Sequence, residues 1–558
     1  MKVLLIAVNA KYIHSNLAVY SLKSYASAYE QNISIAEYTI NQGIDDILAD
    51  IYRQAPEILC FSTYVWNIVY VKQLITEVKK ILPHVHIWLG GPEVSYNAVE
   101  FLENCPQAEG IMRGEGEETF LELMNYYSGT LHGLENIKGI VYRRRGASGD
   151  SSSITENPWR PAADMNKIPF VYHDMEKFQN KIIYYESSRG CPFSCSYCLS
   201  SIDRSLRFRD LELVKKELQI FIDAEVPQVK FVDRTFNCRH EHAIGIWSYI
   251  AEHDKGKTNF HFEVAADLLN EEEMRLMESM RPGLIQLEIG VQSTNPDTIK
   301  EIRRVMEFDE VRKCVSRIQA GGNIHQHLDL IAGLPYEDYE SFRRSFNHVY
   351  ALQPEQLQLG FLKVLKGSYM YEKAGEYQLQ YHVTVGQPFR RQNLKRRPVL
   401  EVYYNSGQFT NTLQLLEKAF TDAFSMYEEL GRYYEKNDLN MISHSRITRY
   451  EVLFDFAAEW DDKNKEEYRK LLIVDLYLRD NVKNRPAFAG EPTITKEESA
   501  QFYDKEAAGY YYLKGYEKYN KRQIRKMTHL EKVGEKLVLF DYKNRDVLTN
   551  QANVFYID

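Results

Sequence analysis

Ser188-Arg189-Gly190-Cys191-Pro192-Phe193-Ser194-Cys195-Ser196-Tyr197-Cys198 gathers three of the chain's seven cysteines into one short stretch. Three thiolates at this spacing suit the corners of an iron–sulfur cubane and leave its fourth iron open for another ligand. Zinc is the rival reading, but it favours four ligands in tetrahedral array, usually as two spaced pairs. The fourth ligand would have to be His173 or Cys238, and neither belongs to a paired motif. Cys60, Cys105, Cys238 and Cys314 stand alone and read as small buried hydrophobes.

The stretch lies just after a strand-like segment, 182–186, which opens a series of alternating strand and helix patterns. Further strands are expected at 228–233, 260–265, 284–291, 325–331 and 356–364, with helical spacing between them at 213–224 and 271–280. Six such units make a (β/α)6 partial barrel. The cysteines then sit where a parallel barrel keeps its reactive groups, at the carboxyl ends of the strands.

An earlier series precedes it. Strand-like runs at 2–8, 33–38, 58–62, 85–89 and 110–113 alternate with helical spacing at 17–29, 44–52 and 71–82. This predicts a doubly wound parallel sheet of about five strands, with its ligand loops at 9–16, 62–67, 90–95 and 114–118. Residues 136–175 are less periodic, with Pro158, Pro161 and Pro169, and read as a linker with a small hairpin at 139–143. Beyond about 370 the pattern turns helical, at 411–429, 445–460 and 465–479, and ends in a strand-like pair within 536–556. The expected domains are therefore 1–135, a linker 136–175, a barrel 176–370 and a mainly helical region 371–558. The whole is an α/β chain with a helical C-terminal part ending in a small β element.

Composition narrows the class. The chain has 558 residues, too many for one core, with 44% hydrophobic and 26% charged residues and a net charge of −9. That charge argues against bulk nucleic-acid binding, although basic runs occur at Arg143-Arg144-Arg145 and from Arg390 to Arg397. The apolar run 3–8 is too short for a signal sequence, and no stretch is long enough to span a membrane. Sparse cysteines fit a cytoplasmic setting. The 40 tyrosines, dense in the last third, suggest packing surfaces with polar tips.

The cysteine spacing, with Tyr197 before the third cysteine, resembles the signature of the radical S-adenosylmethionine (SAM) superfamily. The resemblance runs through 176–370. Phe262-Glu263-Val264, Gly290-Val291-Gln292-Ser293, Ile302-Arg303-Arg304 and Leu328-Asp329-Leu330-Ile331-Ala332-Gly333-Leu334-Pro335 are similar to motifs of the branch typified by oxygen-independent coproporphyrinogen dehydrogenase. It implies a [4Fe-4S] cluster on Cys191, Cys195 and Cys198, with SAM chelating the open iron. Tyr197, Glu263, Gln292, Arg304 and Asp329 then belong to the SAM site. One departure is that Val232-Asp233-Arg234-Thr235 replaces the usual Gly-Gly-Glu. Either the Asp233 carboxylate or backbone carbonyls then hold the SAM amino group.

Gly90-Gly91-Pro92 and Gly114-Glu115-Gly116-Glu117, in a doubly wound domain directly before such a barrel, resemble cobalamin-dependent radical SAM enzymes. That implies a corrin between the two domains, with Asn9, Ser62, Tyr64, Trp66, Gly91, Glu93, Gly114, Glu115 and Glu117 around it. The Asp-x-His-x-x-Gly motif is missing, and residues around His14 do not match it, so no protein histidine on cobalt is expected. Tyr64 or Trp66 would shield the lower face, with a plain core role open for Trp66. Methylthiotransferases are similar in layout but need three N-terminal cysteines, and only Cys60 and Cys105 lie there.

The resemblance implies methyl transfer to carbon through a 5′-deoxyadenosyl radical and methylcobalamin. It also implies a small-molecule or peptide substrate and an electron donor such as flavodoxin or ferredoxin. A radical rearrangement or cyclisation without methyl transfer is the enzymatic alternative. A zinc-binding RNA adaptor is the non-enzymatic one. The C-terminal region is expected to close the barrel mouth.

Overall fold

A computed structural model describes residues 1–145, 152–178, 180–379, 410–439, 444–482, 484–492, 494–509 and 511–557. The basic run from Arg390 to Arg397 and Tyr510 lie outside these residues.

The first sheet contains β1 (Val3–Asn9), β2 (Ile33–Thr39), β3 (Ile58–Ser62), β4 (His86–Gly90), β5 (Gly110–Met112), β6 (Ile140–Arg145) and β7 (Ser152–Glu156). Its order is β2-β1-β3-β4-β5-β6-β7. The first five strands are parallel, and β1 and β3 are buried at every residue, because helices cover both faces. The order in which strands are added to the sheet reverses between β1 and β3, which opens a crevice at their carboxyl ends. Within the stretch expected as a linker with a small hairpin at 139–143, Ile140–Arg145 and Ser152–Glu156 add two antiparallel strands to the sheet. Arg143 of the basic run is spent there, donating through Nη2 to the Leu102 carbonyl at 2.6 Å.

The second sheet is built from β8 (Ile183–Tyr185), then β11 (Gln228–Phe231), β12 (Asn259–Val264), β13 (Ile285–Gln292), β14 (His325–Ala332) and β15 (Gln356–Phe361). Between β8 and β11 lies a two-strand pair, β9 (Ser188–Arg189) and β10 (Arg207–Phe208). The six long strands are all parallel in the order β15-β14-β13-β12-β11-β8, an open barrel. Alternation sorts its two faces. Phe260, Phe262, Val264, Ile285, Leu287 and Ile289 go outward into the helical shell, and His261, Glu263, Glu288 and His327 share the opposite face.

From residue 410 on, the described part of the C-terminal region packs on the barrel's outer helices and strand starts, while Tyr377 donates to Glu301 near the cleft. Helix Ala423–Lys436 lies on helix Tyr339–Tyr350, with Phe424 and Tyr427 against Phe346 at 5.4 and 5.9 Å between ring centres. The turn before β18 (Asn553–Ile557) reaches the opposite end of the barrel. There the Leu548 carbonyl accepts from His325 at 3.1 Å, and Val547 packs on Gly283, before β13. The contacts from residue 410 on therefore give no cover over the mouth, and residues 380–409 lie outside the described residues. The region buries a common core with the barrel helices, and its anchoring residues face those helices and the strand starts. Its tyrosines do pack helices, with Tyr450, Tyr468 and Tyr477 buried. β16 (Thr528–Val533), β17 (Lys536–Asp541) and β18 form the terminal antiparallel sheet.

Among the described residues, no helix is long and apolar enough to cross a membrane.

Candidate active site

The cysteine loop begins where β9 ends. Gly190 turns the chain at φ +88°, and a side chain there would stand 2.7 Å from the Ser205 carbonyl oxygen. Only glycine lets the two arms of the loop approach this closely. β9 and β10 pair Arg189 with Arg207 and close the loop at its base. Farther out, Ser196 donates its N–H to the Ile302 carbonyl at 2.8 Å and accepts from the Met370 N–H at 2.8 Å. Cys191 and Cys195 are buried, and Cys198 is half-buried. Burial pushes the Cys195 thiol up, while the Arg304 guanidinium, 4.0 Å from its Sγ, opposes that rise.

The three cysteines line a cleft of about 190 Å³ at the carboxyl ends of the strands, together with Tyr197, Glu263, Gln292, Arg304 and Asp329. Arg304 donates to the Gly290 carbonyl and to Tyr197 Oη at 3.4 Å, while its Nε is buried without a partner among the described residues. Gln292 stands at φ +70° on a bulge of β13, and its Oε1 is likewise buried and unpaired. Strain of this kind costs about 1–3 kcal/mol and re-aims a side chain at a site.

One step deeper, Glu288 accepts from Lys230 and His261, each at 2.9 Å. His327 Nε2 lies 3.1 Å from Asp329 Oδ1 but off the hydrogen-bond direction, and both atoms lack a hydrogen-bond partner among the described residues. Carboxylate, amide and guanidinium groups therefore meet in one cleft with buried valences unmet. This donor set fits SAM, whose hydroxyls, ammonium and carboxylate need such partners. Three thiols at the cleft wall fit a cluster with one open iron.

The structure does not bring Asp233 to this cleft. Its carboxylate accepts from Ser187 N–H at 3.0 Å, Ser187 Oγ at 2.7 Å and Ser188 Oγ at 2.5 Å, beneath the cysteine loop. Burial still pushes it up to about 6. Glu263 is pushed up to about 7, first by burial and then by the charge of Glu288.

A carboxyl group held above its ordinary 4.5 keeps more protons folded than unfolded, so stability falls as pH rises from 4.5 through about 7. For Glu263 this is worth about 3 kcal/mol. The thermal midpoint of the cofactor-free protein should drop between pH 5 and 8, and Glu263→Gln should flatten the drop. Equal slopes in both proteins would refute the assignment.

In the first domain, Asn9 holds the loop after β1 through the His14 carbonyl at 3.1 Å and Glu37 at 3.0 Å. His14 itself turns to the barrel, with Nδ1 2.6 Å from Tyr184 Oη. Ser62 Oγ accepts from Asn16 at 3.3 Å across the crevice. Tyr64 and Trp66 stack with ring centres 4.3 Å apart, and Trp66 Nε1 is buried and unpaired among the described residues. Gly91, at φ +112°, lies against the Thr63 backbone so closely that any side chain would strike its carbonyl. A stacked aromatic pair and a bare-backbone turn at a sheet's switch point fit a large planar ligand.

The acidic residues behave differently. Glu93 pairs with Lys366 of the barrel at 3.3 Å, Glu115 with Arg207 at 2.7 Å and Glu117 with Arg189 at 2.6 Å. Gly114 packs beside the Trp159 ring. The expected corrin residues thus divide into a group at the crevice and a group that ties the domains together.

Residues 3–124 match the family model for a B12 binding domain, and 185–349 match that of the Radical SAM superfamily. The chain carries a B12-binding domain and a radical SAM core. Residues 393–555 match a third model, described as a protein of unknown function (DUF4080). An uncharacterized methyltransferase, PH0819, of Pyrococcus horikoshii is 26% identical over 53% of this chain and 64% of its own length. The cobalamin-dependent radical SAM methyltransferase TokK of Streptomyces tokunonensis is 27% identical over 52% of this chain and 44% of its own. The chain thus spans less than two thirds of either relative. The solved structure of the cobalamin-dependent SAM radical enzyme OxsB with aqua-cobalamin shares the fold, with a TM-score of 0.56 and 14% identity, over 85% of this chain and 79% of that one.

Sequence reasoning missed Lys230, His261, Glu288 and His327 in the radical SAM core, and Arg189, Arg207 and Lys366 at its border with the B12-binding domain. The signal for the first group was present. Polar residues recur two apart in Gln228/Lys230, His261/Glu263, Gln286/Glu288 and His327/Asp329, which puts them on one face of their strands.

Proposed function

We propose that the chain is a cobalamin-dependent radical SAM enzyme that methylates an unactivated carbon of a small-molecule or peptide substrate. When bound, the [4Fe-4S] cluster and the corrin supply one-electron cleavage of SAM and a transferable methyl group. Cys191, Cys195 and Cys198 hold the cluster. Arg304 takes the SAM carboxylate, and Glu263, Gln292 and Asp329 take its hydroxyls and ammonium. The loop with Tyr64 and Trp66 would back the corrin and exclude water from that side. Substrate enters between Cys191–Cys198 and that loop, and an external donor such as flavodoxin or ferredoxin supplies electrons in the cytoplasm.

The observation that carries this reading is the convergence of three thiols with the unpaired polar atoms of Gln292, Arg304 and Asp329 in one cleft. Methyl transfer is tested with SAM carrying a trideuterated methyl group. Anaerobic turnover should yield 5′-deoxyadenosine and a product heavier by the labelled methyl. An unlabelled product formed alongside 5′-deoxyadenosine would point to rearrangement or cyclisation instead.

A further inference from the structure

The turn Gly114-Glu115-Gly116-Glu117 lies at the ligand edge of the first sheet, yet both carboxylates reach into the base of the cysteine loop. Glu117 grips Arg189 at two points, Nη2–Oε1 at 2.6 Å and Nη1–Oε2 at 3.3 Å, and is steadied by Ser21 Oγ at 2.9 Å. Glu115 grips Arg207 likewise, at 2.7 and 3.1 Å, and lies 3.6 Å from Arg189. Two-point pairing of this kind fixes orientation as well as charge.

Arg189 and Arg207 are register partners across β9 and β10. Like charges placed directly opposite each other weaken a strand pair. Within their own segment they have Glu186, 2.8 Å from Arg189 Nε, and Asp203, 2.7 Å from Arg207 Nη2. Those two carboxylates match the two cations in number but pair each through one nitrogen, and the two-point pairing of both guanidinium groups comes from Glu117 and Glu115 of the other domain. The short pair that closes the cysteine loop therefore depends on the B12-binding domain for part of its stability.

We propose that this ion cluster couples the two domains, with Arg189 as the positioning residue. Seating a corrin on the loops of the first sheet orders the loop that carries Cys191, Cys195 and Cys198, and loading the cluster tightens corrin binding in return. Coupling between two sites is reciprocal by thermodynamic necessity. The inference rests on the cofactor reading above, and deepens it.

The test uses the full chain, anaerobically, with hydroxocobalamin as probe and hydrogen exchange as readout. In the wild type, peptides spanning 188–208 should exchange about fivefold more slowly once hydroxocobalamin is bound. Cluster reconstitution should lower the hydroxocobalamin Kd by a similar, roughly fivefold, factor. The Glu115→Gln/Glu117→Gln protein should still bind hydroxocobalamin by its absorbance but lose both effects. Arg189→Lys should keep part of them, since lysine retains the charge without the two-point fork. Should the double variant fail to fold, Arg207→Gln, at the outer edge of the cluster, serves in its place. Undiminished slowing in the variants, or none in a wild type that binds hydroxocobalamin, would overturn the coupling. A wild type that binds no hydroxocobalamin would overturn the cofactor reading, and the coupling with it.

Discussion

Cys191→Ala, Cys195→Ala or Cys198→Ala protein, reconstituted without oxygen, should form 5′-deoxyadenosine on the order of 10³-fold more slowly than the wild type, or not at all. The three thiols are not interchangeable with other groups nearby. Cys195 is buried beside Arg304, and its position is fixed by the neighbouring Ser196 backbone, bonded on both sides to Ile302 and Met370. A thiol must lose its proton to bind iron, so the guanidinium that opposes the rise at Cys195 also favours loading. Removing one thiol would leave two ligands to hold a cluster that needs three from this loop. Product analysis by mass spectrometry reads the effect directly, and iron content read beside corrin absorbance separates cluster loss from unfolding. Cys314→Ser, on helix Phe308–Gly321 away from the cleft, should retain the activity. Cleavage that survived loss of all three cysteines would remove the basis of the assignment.

Much of this site was written in local pattern. The cysteine spacing and the strand alternation are short-range properties, so the barrel could be read before any geometry, and five of the six residues that the family resemblance put around SAM do line one cleft with the cysteines. What could not be read is long-range. Asp233 differs from Glu263 by burial against Ser187 and Ser188, partners 45 or more residues away that no spacing rule anticipates. Glu115 and Glu117 were placed at the corrin because their turn lies at the ligand edge, yet two arginines some 70 to 90 residues later attract them. The same holds for Ile140–Arg145 and Ser152–Glu156. Their β-prone residues were visible, but whether they span a gap or extend a sheet depends on the free edge of β5. The C-terminal helices were legible as amphipathic, and amphipathicity alone does not say which surface they cover.

Arg209→Met should cost about 3–5 kcal/mol in the unfolding of the radical SAM core, the largest stability loss expected of a single substitution outside the apolar core. Arg209 and Glu217 are buried side chains, about 5% exposed each, joined by Nε–Oε2 at 2.9 Å and Nη2–Oε1 at 2.5 Å. Arg209 also donates to the carbonyls of Met165 and Ile168, and Tyr185 donates to Glu217 at 2.6 Å. One guanidinium thus fastens the segment before β8, the end of β8 and helix Leu211–Asp223 to one another. Methionine keeps most of the volume but strands a buried carboxylate and two carbonyls, and that unpaired burial is the expensive part. The double variant Arg209→Met/Glu217→Leu should recover more than half of the loss, since it removes the stranded charge as well. Urea unfolding of the three proteins, followed by hydrogen exchange in β8 and helix Leu211–Asp223, measures both effects. A single-variant cost below about 1 kcal/mol would mean that the pair is solvated and weak. Because Tyr185 is followed directly by Glu186, Ser187, Ser188 and Arg189, the same variant should speed exchange in 186–190. The buried pair would then anchor the strand from which the cysteine loop departs.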